Sequence, residues 1–195
     1  MPKARPDYQP GRFYHFFNRG AHRISVFREP DNYLFVLRRI KSYSRELGLS
    51  VIAYCLMPNH YHWLIRQDRE RPAGLLPQRV FNSYSKAYNK TYQHSGTLFE
   101  DSYHVVPILS ESHLLHLCRY IHGNPVKDGM ATHPVEWPYS NYPEWIGLRD
   151  GTLVDRDFVG AHFHTAAEYR RFVDVYLADW QLPVVLGYVR QFEEG

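Results

Sequence analysis

Aromatic and aliphatic residues recur along this chain at two spacings, and the change of spacing marks where one kind of element gives way to another. Gly11 to Arg19 is crowded with Phe13, Tyr14, Phe16 and Phe17 and closed by Gly20, the pattern of a strand. From Asp31 to Leu47, Tyr33, Val36, Leu37, Ile40 and Tyr43 or Ser44 fall three and four apart. That spacing predicts a helix stopped at Gly48, with Arg38, Arg39, Lys41 and Arg45 on its outer face. Ser50 to Met57 and His60 to Arg66 read as two strands joined by a turn at Pro58-Asn59. Helical spacing returns over Leu76 to Tyr92, with Pro77 in the first turn, where its missing N–H leaves no bond unmade.

His104 to Leu109 follows as a fourth strand and Ser112 to Asn124 as a third helix. Ser110 or Ser112 can cap its start, and it ends at Asn124-Pro125 because a residue before proline avoids the helical region. The order β-α-β-β-α-β-α predicts an α+β fold of the split βαβ class, an antiparallel sheet with helices on one face. Trp137 to Tyr142 reads as an aromatic loop. A partly helical C-terminal extension, residues 147–195, follows a main domain of residues 1–146. Thr165 and Glu168 form a capping-box signature there, ahead of Tyr169, Phe172, Val173 and Tyr176. The end from Leu182 is ambiguous between states.

Composition narrows the class. Apolar residues are 44% and charged residues 22%, as in soluble globular proteins, and no apolar run nears the ~20 residues of a membrane helix. The opening Met1 to Asp7 lacks the apolar stretch of a signal peptide, which points to the cytoplasm. Cys55 and Cys118, the only cysteines, read as buried reduced thiols, so a cysteine-built zinc site is not available. The net charge of +3 is unevenly spread: ten Lys/Arg against three Asp/Glu up to residue 45, five against nine from Glu144 on. A basic sector suits a polyanion, through neutralised phosphates, although a solvated mixed-charge surface looks the same. No Gly-x-x-x-x-Gly-Lys-Ser/Thr loop is present, so no nucleotide cofactor is expected.

Two short stretches carry chemistry. In Pro58-Asn59-His60-Tyr61-His62-Trp63-Leu64, His60 and His62 are two apart on a strand, so both imidazoles leave the same face and can hold one divalent ion, while Tyr61 and Trp63 point into packing. In Arg119-Tyr120-Ile121-His122-Gly123-Asn124-Pro125-Val126-Lys127, Tyr120 and Asn124 stack on one helix face beside the apolar stripe Leu114, Leu117, Cys118, Ile121. The amide of Asn124 can face a metal with Tyr120 one turn away. Equally, Tyr120 fits a boundary core position and Asn124 a helix C-cap.

The two stretches together, in this order, resemble the single-tyrosine HUH transposases, the IS200-like type, and most of all their REP-associated tyrosine transposase branch. Arg12-Phe13-Tyr14-His15-Phe16-Phe17-Asn18-Arg19-Gly20 resembles that family's opening strand, and Trp137-Pro138-Tyr139-Ser140 the segment after its catalytic helix. The resemblance spans Gly11 to Tyr142 and implies a ferredoxin-like HUH core. It also implies His60, His62 and Asn124 as ligands of Mg²⁺ or Mn²⁺ and Tyr120 as nucleophile. The implied substrate is single-stranded DNA with a hairpin from palindromic repeats, cut and rejoined through a 5′-phosphotyrosine, in a nucleoid-associated protein that is a monomer rather than a homodimer. One departure stands out: after Gly96-Thr97-Leu98-Phe99 the family usually carries an arginine, where this chain has Glu100-Asp101-Ser102-Tyr103.

Tyr84 is the rival nucleophile. It sits in a ladder with Tyr88 and Tyr92 that suits helix packing or base stacking. Arg19, Arg23, Arg38, Arg39 and Lys127 are candidates for phosphate contacts, and His15 and His116 for lining the site. Two other functions remain open: a metal-dependent hydrolase that uses the histidine pair with water, and a DNA-binding relic without activity.

Overall fold

The computed structural model describes residues 5–194, with the backbone alone at Glu194; the leader reading at Met1–Ala4 lies outside them. Four strands form one antiparallel sheet in the order β2-β3-β1-β4. They are β1 (Phe13–Arg19), β2 (Leu49–Leu56), β3 (His60–Gln67) and β4 (His104–Ile108). The helices are α1 (Pro30–Leu47), α2 (Leu75–Tyr92), α3 (Glu111–Lys127), α4 (Tyr142–Trp145), α5 (Arg156–His162), α6 (Ala166–Asp179) and α7 (Gly187–Glu194). With β1 central and the chain crossing twice, this is the ferredoxin-like arrangement the element order predicts.

Local chemistry sets the boundaries. Glu29 and Asn32 exchange side-chain-to-backbone bonds at the start of α1, Pro30 occupies its first turn, and Gly48 ends it in the left-handed region at φ 68°. Ser110 caps α3 by accepting from the His113 N–H at 3.2 Å. Thr165 caps α6, accepting from the Glu168 N–H at 3.1 Å, while the Glu168 carboxylate reaches the His164 N–H, one residue short of a reciprocal box.

Two expectations need correction. Helices cover both faces of the sheet, not one. On the first, Phe81 of α2 stacks on Tyr61 and Trp63 of β3 at 4.4 and 5.0 Å between ring centres, and α1 packs on α2 and β2. On the second, α3 lies across His62, with α6 packed on α3. Nor does α3 stop at Asn124: it runs through Pro125 to Lys127. A proline in the final turn costs one hydrogen bond only, and Asp128 N–H then closes the helix on the Asn124 carbonyl at 3.0 Å.

Gly123 lets α6 approach this closely. A Cβ there would meet Leu177 Cδ2 at 3.0 Å and Tyr176 Cε1 at 3.1 Å. A second anchor fixes α3 to the sheet. β2 bulges between Val51 and Ala53. There the Asn141 amide donates to the Ile52 carbonyl at 2.8 Å and accepts from the Tyr54 N–H at 2.8 Å. The same Asn141 oxygen accepts from His122 Nε2 of α3 at 2.9 Å. The Trp137–Tyr142 segment thereby seals the edge of β2, helped by Trp137 Nε1 donating to the Leu56 carbonyl at 3.0 Å. Cys55 and Cys118 are buried and unbridged. No described helix is long and apolar enough to cross a membrane.

Candidate active site

β3 and α3 build the site between them. Alternation along β3 turns His60 and His62 to the face that α3 covers. One turn of α3 brings Tyr120 and Asn124 to meet them, while His122, half a turn away, points back to Asn141 and Tyr169. His60 Nε2 lies 3.2 Å from Asn124 Oδ1, and His62 Nε2 lies 3.3 Å from the Tyr120 hydroxyl. Asn124 is held by its own helix, its amide nitrogen donating to the Tyr120 carbonyl at 3.2 Å, which leaves the oxygen to face His60. It is not a C-cap.

Behind the histidines, His60 Nδ1 meets Asn59 Oδ1 at 2.7 Å and His62 Nδ1 meets His15 Nε2 at 3.0 Å. Asn59 Oδ1 can only accept, so His60 carries its proton on Nδ1 and turns a bare Nε2 lone pair toward the lone pairs of Asn124 Oδ1. Two acceptors 3.2 Å apart in a buried place are unfavourable unless a cation lies between or beside them. Burial, the largest influence, pushes His60 down and, with the neighbouring His15 and His60, pushes His62 well down, so both rings are kept neutral, the form that binds metals. The donor set of two imidazoles and an amide oxygen fits a divalent ion. No group of three His, Cys, Asp or Glu that could hold one exists among the described residues.

The last helix closes over this site. Tyr120 donates to Glu193 Oε1 at 2.7 Å, and Lys127 pairs with the same carboxylate oxygen. Phe192 packs edge-on to His62 at 5.9 Å and to Phe17 at 4.8 Å between ring centres. Burial raises the Tyr120 phenol well above its ordinary range, and the Glu193 charge raises it further. None of Tyr188, Phe192 or Glu193 stood out in the sequence, because the tail carries no recognisable motif; Asp128, 3.9 Å from His60 Nε2, was missed likewise.

The other candidates are dispersed. Tyr84 lies with α2 on the opposite face of the sheet, its hydroxyl donating to the Val26 carbonyl, while Tyr88 donates to the Ser25 carbonyl at 3.0 Å. The tyrosine ladder thus ties α2 to the loop before α1. Arg38 and Arg39 are exposed on α1, away from His62, with Arg39 over the Phe35 ring. Arg23 is exposed in the turn after β1, at φ 59°. Arg19 is buried, held by both oxygens of Glu100 at 3.0 and 3.1 Å and donating to the Phe192 carbonyl at 3.1 Å. His15 is fully buried against His62, whereas His116 stacks on Phe172 outside the site.

A solved structure of a REP-associated tyrosine transposase bound to a REP hairpin superimposes with a TM-score of 0.61 at 16% identity, over 80% of this chain and 98% of that one. A protein of Deinococcus radiodurans R1 assigned as a transposase gives a TM-score of 0.39 at 20% identity, over 63% and 97%. Among curated proteins none matches. The profile described as "Transposase IS200 like" matches residues 11–124, the whole stretch from the opening strand to the amide of Asn124, and the chain belongs to that family of transposases.

Proposed function

We propose that this transposase cuts and rejoins single-stranded DNA beside a hairpin, with Tyr120 as nucleophile and His60, His62 and Asn124 holding a divalent cation. The observation that carries the reading is the convergence of the Tyr120 hydroxyl, two imidazole Nε2 atoms and one amide oxygen at a single junction of β3 and α3. The hairpin rests on a relative of the same fold that is bound to one.

Tyr120 Oη attacks the scissile phosphorus and the P–O3′ bond breaks. The DNA 5′ side is then carried as a phosphotyrosine; the phenol gives up its proton and the leaving O3′ takes one up, so the other product is a free 3′-OH and no net proton is released. Rejoining reverses this: a 3′-OH attacks the same phosphorus and the tyrosyl oxygen leaves, so no ATP is consumed. A bound Mg²⁺ or Mn²⁺ would polarise the phosphate and favour the phenolate. His60 and His62 remain neutral, Asn124 fixes the approach of Tyr120 along α3, and Lys127, within 5.7 Å of the Tyr120 ring, offers its ammonium to the phosphate. Arg23, Arg38 and Arg39 give the exposed charge for flanking DNA. We place the protein in the cytoplasm, on the nucleoid, as a monomer.

The test is a denaturing gel of labelled hairpin DNA with protein and Mg²⁺ or Mn²⁺. A metal-dependent adduct that survives denaturation in wild type and Tyr84→Phe but vanishes in Tyr120→Phe is expected. Cleavage without adduct in all three would make the protein a hydrolase that uses water, and binding alone would make it a relic.

A further inference from the structure

His15 is a buried polar side chain on a strand face otherwise given to aromatic packing, between Phe13 and Phe17. Its direct partner on β3 is Leu64, and His62 is its diagonal neighbour. Its two ring nitrogens are both engaged: Nε2 with His62 Nδ1 at 3.0 Å, and Nδ1 with the Tyr188 hydroxyl at 2.8 Å. That hydroxyl in turn lies 3.4 Å from His113 Nε2. In this row the His62–His15 pair can run in one of two directions, and the Tyr188 hydroxyl, with one hydrogen and two lone pairs, can complete either. If His62 carries its proton on Nε2, that nitrogen is unable to hold a cation. If it carries the proton on Nδ1, His15 Nε2 must accept, His15 Nδ1–H must donate to Tyr188, and the Tyr188 hydroxyl is free to donate to His113.

We infer that His15 is a positioning residue for the metal site: it accepts the Nδ1–H of His62 and so turns the lone pair of His62 Nε2 toward the Tyr120 oxygen, 3.3 Å away, whose own hydrogen is given to Glu193, which leaves two acceptors for a cation to stand beside. The inference rests on the reading of His60, His62 and Asn124 as ligands. Asn59 does the corresponding service for His60, so each imidazole is oriented from behind by a different strand or turn. Partners of this kind typically change metal affinity by roughly 10–100-fold when removed.

The experiment is titration of the full chain with Mn²⁺ alone, read by the electron paramagnetic resonance of the free ion. The proteins are wild type, His15→Leu, His15→Gln and His62→Ala. Leucine fills the space without an acceptor, whereas glutamine offers its side-chain oxygen where Nε2 stood. The inference expects His15→Leu to weaken Mn²⁺ binding by about 10–100-fold and His15→Gln to recover most of it. Binding in His15→Leu equal to wild type, with His62→Ala defective, overturns the role of His15 and leaves the metal site standing. Equal loss in the leucine and glutamine variants also overturns it, since packing alone then explains the effect. Undiminished binding in His62→Ala overturns the ligand reading, and this inference with it. Should His15→Leu not fold, Tyr188→Phe probes the same row from its other end: weaker Mn²⁺ binding is expected, and wild-type binding overturns the proposal.

Discussion

Tyr120 donates its phenolic hydrogen to Glu193 at 2.7 Å, so the residue proposed to attack DNA is tied to the last turn of the chain's last helix. The contact works against catalysis in two ways. A carboxylate beside a phenol opposes loss of its proton, adding to the effect of burial. Its negative charge also lies where a phosphate would approach, and it pairs with Lys127, whose ammonium lies 5.7 Å from the centre of the Tyr120 ring.

Glu193→Gln is therefore expected to speed covalent adduct formation. Releasing a hydrogen bond to a charged partner is worth about 1.5–3 kcal/mol, which sets a gain of roughly ten- to a hundredfold as the upper range. Single-turnover adduct formation on hairpin DNA measures it. A slower variant would instead make Glu193 the base that takes the Tyr120 proton.

The pairing of Arg19 with Glu100 gives a second expectation. Both carboxylate oxygens of Glu100 are spent on Arg19, which is buried. Glu100→Ala should free that guanidinium for a phosphate. Hairpin affinity should rise, and the slope of log K against log salt should steepen by about 0.7–0.9 for one added phosphate contact. Fluorescence anisotropy at several salt concentrations reads both; unchanged affinity and slope would mean that Arg19 stays out of reach of DNA.

The strands, the three main helices and the pairing of His60 with His62 on one strand face and of Tyr120 with Asn124 on one helix face were legible because each follows from a local period, two along β3 and four along α3, whereas the meeting of the two pairs was implied by the family resemblance alone. What escaped the sequence depends on contacts between distant segments. Helices on both faces follow from α3 crossing the sheet beside His62, which no spacing within the third helix reveals. The continuation of α3 past Asn124 depends on Asp128 closing the last turn. The placing of Glu193 over Tyr120 depends on the path of the chain after α6, where the sequence from Leu182 is ambiguous between states. His15 was visible only as a residue near the site, since its hydrogen bond requires the β1–β3 register.

Tyr84 separates packing from chemistry. Its hydroxyl ends on the Val26 carbonyl on the far side of the sheet from His62. Tyr84→Phe should keep adduct formation at the wild-type rate while lowering stability by about 1 kcal/mol, the net worth of a typical hydrogen bond. Urea unfolding alongside the adduct assay checks both, and loss of adduct in a folded variant would return Tyr84 to candidacy as nucleophile.

His122 ties acid sensitivity to the same helix that carries Tyr120. Burial lowers its pKa from the ordinary 6.5 to about 4, and its ring is engaged on both sides, by Asn141 at Nε2 and Tyr169 at Nδ1. In the unfolded chain the ring takes up a proton near pH 6.5, whereas in the folded protein it resists until about pH 4. Between those values the unfolded state holds more protons, so stability is complete above pH 6.5 and falls as pH drops toward 4. For this one residue the loss over the window is about 3 kcal/mol, from 1.36 kcal/mol per unit. His15, His60 and His62, all lowered by burial, add to the same slope. Urea unfolding at pH 7 and pH 4.5 should show the fall in wild type and a shallower one in His122→Gln, which keeps a polar group between α3 and Asn141 without a titrating ring. Identical slopes in the two proteins would mean that His122 is already protonated in the folded state and that its bond to Tyr169 runs the other way.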